Sequence, residues 1–256
     1  MTPEFLSNFR CIPLTEIHLA PTRAGVYAWY ATPQIGTADW ARSLDAEGND
    51  LGAESFKGLF AKHSARFSPP SLNVRSHSAF RDKWSGNLTS STFERQLEAI
   101  SKDFDDDEVD DSDAFPRKEW NSLLASERQR GSLANLLNSI VNPILTSPLY
   151  IGRADNLQSR LKDHARDLGK WHNAILRDQG HLAKIYASIF EDRKYDGIPN
   201  IFATRAIASG FSPENMIVYV LDIESALDVK TPKAIELSYV LEWFLNTWNR
   251  PLLGRK

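Results

Sequence analysis

The sequence predicts an α/β (α+β) fold in which a small, mainly antiparallel sheet is flanked by helices. Short runs rich in Val, Ile, Tyr and Trp occur at 25–30, 148–152 and 216–223, and such residues favour strands. Segments with helical periodicity follow two of these runs. Between the first two runs, residues 31–146 contain Gly-, Asp- and Ser-rich connectors around helix-like pieces. We therefore expect a long helical insertion between the first two core strands.

Length and composition are those of a globular chain with a substantial core. The 256 residues are 42% hydrophobic, which suffices for one large domain or two small ones. The sequence contains no apolar run near the roughly 20 residues that cross a bilayer, and its start lacks the layout of a signal peptide. We expect no membrane partner and a cytoplasmic location. The single cysteine, Cys11, excludes an internal disulfide, and no Cys/His group has zinc-site spacing.

The first half of the chain divides into a strand and the insertion. The strand at 25–30 follows a Pro/Gly turn and is entered through Gly25. The insertion is predicted to contain helices at 55–67, 91–104 and 116–140. Residues 67–87 mix basic, Pro and aromatic residues, which fits either a DNA-contacting loop or an ordinary surface connector. The predicted domains are a core of 1–30 with 147–256 and an insertion of 31–146.

In the second half, each predicted element has a local start signal. A strand at 148–152 leads to a helix that Asp155 or Asn156 caps. The last helix begins at Thr231, a good N-cap, with Pro232 at the first helical position. The remaining elements are one or two helices over 171–190, a helix over 201–209 and a strand over 216–223.

The net charge of −3 hides an asymmetry. Residues 103–113 (DFDDDEVDDSD) contain eight acidic residues and no basic one, so the chain without them has a net charge of +5. Such a dense run of like charge is typical of a solvated loop. The alternative is an acidic flap that covers a basic cleft, in which case deleting 103–113 should raise DNA affinity at low salt.

Three short motifs occur in a characteristic order: Gly25-Val26-Tyr27, Tyr150-Ile151-Gly152, and the Arg160/His164 pair on the helix that follows. Together with YIGRADNLQSRLKDH and TPKAIELSYVLEWFLNTWNRP, they resemble the GIY-YIG nuclease family over 25–30 and 148–251. About 120 residues separate the two tyrosines, where the family usually has a short hairpin. The resemblance implies a metal-dependent endonuclease that hydrolyses phosphodiester bonds in DNA with Mg²⁺ or Mn²⁺. Members of the restriction type and of the structure-specific repair type are both compatible with it.

Arg160 and His164 suit a phosphate site. Residues four apart share one face of a helix, so both side chains project from the same side. The fixed charge and forked donors of Arg160 match an anionic phosphate. The alternatives are an ion pair of Arg160 with Asp163 or Asp167, and a partly exposed polar role for His164.

Tyr27 and Tyr150 are the candidates for activating water. At pH 7 only about one tyrosine in a thousand is ionised, so a nearby cation must assist direct proton abstraction. The resemblance implies that Tyr27 is the general base and that Tyr150 positions water or phosphate. The alternative is two core tyrosines with satisfied hydroxyls.

The last helix offers two carboxylates for a metal ion. At about 100° per residue, Ser238, Glu242 and Asn246 form one polar stripe, whereas Glu236 points the other way, among Val240, Trp243 and Thr247. A carboxylate on an apolar face needs a partner, and a divalent cation is one. We therefore assign Glu236 as the metal ligand, with a salt bridge to an interior Arg as the alternative. Asn249, thirteen residues later, is the supporting residue that the resemblance implies.

The sequence indicates DNA as the partner. Residues expected to contact its phosphates are Lys162, Arg166, Lys170 and Arg205. One active site cuts one strand at a time, so double-strand cleavage needs a homodimer or two sequential nicks. The alternative function is a catalytically dormant protein of the same fold that binds nucleic acid or regulates.

Overall fold

The computed structural model describes most of the chain in two compact units. One unit, here called the core unit, comprises Met1–Thr32 and Pro143–Lys256, and the other, the insertion unit, comprises Pro33–Asn142. The predicted division falls after residues 30 and 146. The described residues are 8–67, 72–77, 83–88, 116–138, 146–178, 180–190, 197–249 and 251–254. The acidic run 103–113 and the predicted helix 91–104 lie outside them.

This described part contains both strands and helices. The strands are Phe9–Pro13 (β1), Gly25–Ala31 (β2), Leu72–His77 (β3), Lys83–Leu88 (β4), Tyr150–Ala154 (β5) and Met216–Asp222 (β6). The α-helices are Leu51–Arg66 (α1), Arg117–Leu124 (α2), Glu127–Leu136 (α3), Leu157–Arg177 (α4), Gly180–Phe190 (α5), Phe202–Ala208 (α6), Ile223–Leu227 (α7) and Thr231–Asn249 (α8). No helix among these residues is long and apolar enough to cross a membrane.

A four-stranded antiparallel sheet forms the centre of the core unit, in the order β1-β6-β2-β5. β6 (MIVYVLD) alternates buried and half-buried residues, as a strand covered on both sides does. In register, Tyr27 of β2 lies between Gly152 of β5 and Val220 of β6. The predicted mixed fold with an antiparallel sheet flanked by helices is confirmed.

The strand β1 was not predicted. Only Ile12 of its five residues is buried, so the segment carries no alternating pattern. Its presence corrects the predicted position of the insertion. The insertion follows the second strand of this sheet in chain order, not the first.

Helices cover both faces of the sheet. On one face, Val26 belongs to an apolar cluster with Ala24, Ile223 and Ala234, and this cluster brings α8 onto the sheet. On the other face, Trp29 is fully buried and stacks on Phe202 of α6, with ring centroids 5.6 Å apart. The sheet is therefore a central layer with helices on either side.

The insertion unit has its own small core, formed by Ile35, Phe56 and Ala134. The fully buried Arg130 donates to the backbone oxygens of Trp40 and Leu124 and to Asp50 at 2.8 Å. Asp50 also caps the start of α1.

Two predictions for the insertion need correction. The predicted helix over 116–140 is two helices, because the chain turns at Ala125 and Ser126 caps α3. The predicted loop or connector over 67–87 contains most of a hairpin, in which β3 pairs with β4.

Candidate active site

The four residues of the predicted motifs meet on one side of β2 and β5. Tyr27 lies on β2, Tyr150 on β5, and Arg160 and His164 lie one turn apart on α4. Asn156 caps α4 by accepting from the Ser159 N–H at 2.9 Å, which fixes the start of this helix directly after β5. Tyr27, Tyr150, Arg160 and His164 are called the tyrosine–histidine cluster below.

A buried hydrogen bond of 2.8 Å joins the hydroxyl of Tyr27 to Nε2 of His164. Burial, and to a lesser degree the charge of Arg160, lower the pKa of His164 to about 3. His164 is therefore neutral at pH 7. In the tautomer that carries its proton on Nδ1, Nε2 accepts a hydrogen bond that the Tyr27 hydroxyl donates.

Tyr27 is a buried neutral phenol. Burial raises its pKa well above the ordinary value, the neighbouring Tyr150 raises it further, and Arg160 lowers it by a hydrogen bond and by its charge. The alternative for Arg160, an ion pair with Asp163 or Asp167, is not what the structure has. Those two carboxylates pair with Arg166, at 2.9 and 3.8 Å. The guanidinium of Arg160 instead interacts with the hydroxyl group of Tyr27.

Glycine at 152 is required by the ring of Tyr27. A Cβ at Gly152 would lie 2.6 Å from the Tyr27 hydroxyl oxygen and 2.8 Å from a ring carbon of Tyr150. At Gly25, a Cβ would lie 2.1 Å from the carbonyl oxygen of Leu221 on β6. The neighbours are therefore aromatic side chains at Gly152 and strand backbone at Gly25.

Two aromatic residues of the site were missed from sequence. The ring of Phe202 lies 5.1 Å from Tyr150 and 5.4 Å from His164. Trp29 lies 6.2 Å from His164 at nearly a right angle. These rings remove His164 from water, which is the physical cause of its lowered pKa. Phe202 belongs to a helix about 40 residues further along the chain, so no local pattern marked it.

Two carboxylates act electrostatically on this cluster, Asp163 on Arg160 and His164 and Glu242 on Tyr27 and Arg160, whereas Glu236 acts on none of its four residues. Glu242 is half-buried and lies 3.6 Å from Nε of Arg153 on β5. Burial raises the pKa of Glu242, and the charges of Arg153 and Arg160 lower it. The negative charge of Glu242 also acts on Tyr27. Glu242 is therefore electrostatically part of the site.

Glu236 is on the solvent side of α8. Its side chain is 67% exposed and pairs with Lys233 at 2.8 Å. Its metal-ligand assignment assumed a buried apolar face, and this assumption is wrong: Val240 and Trp243 on that face are 55% and 63% exposed. The supporting residue Asn249 is also exposed, and its amide donates to the Leu245 carbonyl within α8.

Arg153 was not singled out from sequence. Its guanidinium lies 3.1 Å above the ring centre of Tyr239 and pairs with Asp155 at 3.0 Å as well as with Glu242. It therefore links the end of β5 to α8 beside the site.

Of the four predicted phosphate contacts, three are on the surface. Lys162, Arg166 and Lys170 are exposed along α4, although Arg166 is engaged by Asp163 and Asp167. Arg205 is the exception, and its assignment is corrected. It is only 8% exposed and donates to Asn200 at 3.1 Å, so it is held inside the fold.

No group of three or more His, Cys, Asp or Glu side chains with metal-site geometry occurs among the described residues. A cation at this site would therefore take most of its ligands from water and substrate, and Glu242, half-buried and electrostatically coupled to Tyr27, is the carboxylate of α8 that could contribute one. Mg²⁺ is commonly held by one or two carboxylates and retains several waters. The residues present fit such an ion.

No protein-family model, curated protein or solved structure matches the chain. The similarity to GIY-YIG nucleases thus stays a resemblance carried by short motifs. Any function given to the cluster depends on its geometry and chemistry.

Proposed function

We propose that the chain is a metal-dependent endonuclease of the GIY-YIG type that hydrolyses phosphodiester bonds in DNA. The observation that carries this proposal is the buried Tyr27–His164 hydrogen bond of 2.8 Å with Arg160 beside it. A phenol, a neutral imidazole and a fixed cation in contact supply a proton path and a phosphate-binding charge. The pairing of β2 with β5, which joins the two tyrosine strands, supports a GIY-YIG-like core.

The protonation states favour a relay over a free phenolate. Ionising Tyr27 is costly because its pKa is raised, whereas neutral His164 has a lone pair at hydrogen-bond distance. As water attacks phosphorus, the Tyr27 oxygen takes the water proton and the Tyr27 proton passes to Nε2 of His164. Burial and the charge of Arg160 make the imidazolium ion costly, so His164 holds the proton only while negative charge develops on the phosphate, and then donates it to the leaving oxygen, which departs as a hydroxyl group.

Arg160 and Tyr150 orient the phosphate in this scheme. The guanidinium of Arg160 neutralises charge on the phosphate and lowers the pKa of Tyr27 at the same time. Tyr150 is half-buried, with its ring 6.2 Å from that of Tyr27, so its hydroxyl is available to position water or phosphate.

Glu242 takes the metal-ligand role first assigned to Glu236. A bound Mg²⁺ or Mn²⁺ supplies charge neutralisation at the phosphate and the leaving oxygen. Glu242 is half-buried beside the cluster, and Arg153 holds its carboxylate from β5. Glu236 is the natural comparison, because it is a carboxylate of the same helix that is paired on the solvent side.

The test is a cleavage assay with Mg²⁺ and with Mn²⁺ on plasmid, branched DNA and RNA substrates. Wild type should cut in a metal-dependent way, and Tyr27→Phe, His164→Asn and Glu242→Gln should each reduce the rate by 100-fold or more, on the order of the loss for a general base. Glu236→Gln should cut like wild type. Cutting that survives in Tyr27→Phe and Glu242→Gln would overturn the proposal. Salt-dependent DNA binding without cutting on any substrate would favour the dormant binding protein.

A further inference from the structure

The outer face of α8 exposes five large apolar side chains. Its members are Tyr239 (55% exposed), Val240 (55%), Trp243 (63%), Phe244 (38%) and Trp248 (69%). The rings touch one another along the helix, with centroids 5.0 Å apart between Trp243 and Phe244 and 5.1 Å between Phe244 and Trp248. This set of five residues is called the α8 aromatic face.

The area of this face is close to what a stable interface needs. Applying these exposed fractions to roughly 150–250 Å² per large side chain gives on the order of 400–700 Å². A standard interface buries about 800 Å² on each partner, and homodimer interfaces are the more apolar ones. The face therefore supplies most of one side of such an interface.

The charges of α8 favour a protein partner over nucleic acid. Its charged residues are Lys233, Glu236 and Glu242. Lys233, its one cation, is engaged by Glu236, and Glu242 by Arg153. Arg153, which lies over the Tyr239 ring of this face, is likewise paired with Asp155 and Glu242, so both cations at the face are already engaged by carboxylates and not by a phosphate.

We propose that the α8 aromatic face packs against the same face of a second copy of this chain, around a two-fold axis. Such a contact is self-complementary, because each α8 gives and receives the same rings. The two-fold axis passes near the middle of the face, at Trp243 and Phe244, where each residue meets its counterpart. The inference does not depend on the chain being a nuclease.

The test is the mass of the full chain by sedimentation, measured over a range of concentrations. Wild type should sediment at twice the mass of one chain. Trp243→Ser combined with Trp248→Ser should weaken the dimer by about 100-fold or more, as loss of central Trp residues does at interfaces. The matched control is Leu176→Ser on α4, which removes an equally exposed apolar side chain, also 69% exposed, and should leave the dimer intact. Circular dichroism checks that each variant is folded.

Two results would overturn the proposal. One is a wild-type chain that is monomeric at all concentrations. The other is a double variant that keeps its mass but loses affinity for single-stranded DNA, which would make the face a stacking surface for bases. Neither result requires catalytic activity, so the outcome is independent of the cleavage assay.

Discussion

Acidification should destabilise the core unit through His164. The pKa of His164 is lowered from its ordinary value of 6.5 to about 3 by burial among aromatic rings. Below pH 6.5 the unfolded chain therefore binds a proton that the folded chain does not, and stability falls as the pH drops. From pH 7 to pH 5 the loss is about 2 kcal/mol, at about 1.4 kcal/mol for each pH unit below the unfolded pKa.

The assay compares wild type with His164→Asn at pH 7 and pH 5. Hydrogen exchange of the β6 amides, corrected for intrinsic rates, gives the free energy of opening the core unit. The variant should lose about 2 kcal/mol less than wild type on acidification, because asparagine does not titrate. His63 in the insertion unit also has a lowered pKa, about 4, but it is present in both proteins. His181→Asn, at an exposed histidine, is the control for substitution itself.

Two results would refute this reasoning. Equal acid losses in wild type and His164→Asn would show that the histidine is not held neutral by the fold. A His164 ring proton signal that titrates near pH 6.5 in nuclear magnetic resonance spectra would show the same directly.

Three further predictions concern packing and the candidate site. Gly152→Ala should lower the free energy of unfolding by about 1–3 kcal/mol, because its methyl group overlaps the Tyr27 ring. Gly169→Ala has open space around it and should raise the free energy of unfolding by up to about 1 kcal/mol. Urea unfolding measures both changes. Phe202→Leu should raise the pKa of His164 toward 6.5 by admitting water, which its ring proton signal would report. The cleavage rate should rise with pH as the carboxyl group of Glu242, whose pKa is raised, loses its proton. A higher Mg²⁺ concentration should shift this rise to lower pH, because the metal ion competes with the proton for the carboxylate. A rise whose pH does not depend on Mg²⁺ would contradict this prediction.

The elements that were predicted correctly carry strong local signals. The β-branched run of β6 needs no knowledge of the rest of the chain, and Thr231-Pro232 marked the start of α8 to within one residue: Thr231 is the first helical residue, not the N-cap, and the carbonyl of Lys230 accepts from the N–H of Ala234. The strand β1 is different, because it is short, mostly exposed and held by its pairing with β6. Pairing of this kind depends on tertiary contacts, which a single-sequence pattern does not contain.

The candidate site was partly accessible from sequence for a similar reason. Arg160 and His164 are one turn apart on a helix, so their common face follows from helical geometry. Phe202 reaches the cluster from a distant helix, and Arg153 is defined by its contacts with α8. Such contacts become visible only when the chain is folded.

Helix α8 shows why the assumption behind the choice of Glu236 over Glu242 was wrong. Helical geometry correctly separated the polar stripe of Ser238 and Glu242 from the apolar side of Trp243, and the usual expectation is that the apolar side faces the core. Here α8 is apolar on two sides: Leu237, Leu241 and Leu245 pack on the core beside the buried Ser238, while Trp243 on the other side is 63% exposed. Under our two proposals, each side of the helix has one explanation. The inner side carries a carboxylate to the cluster, and the outer side keeps its rings for a second copy of the chain.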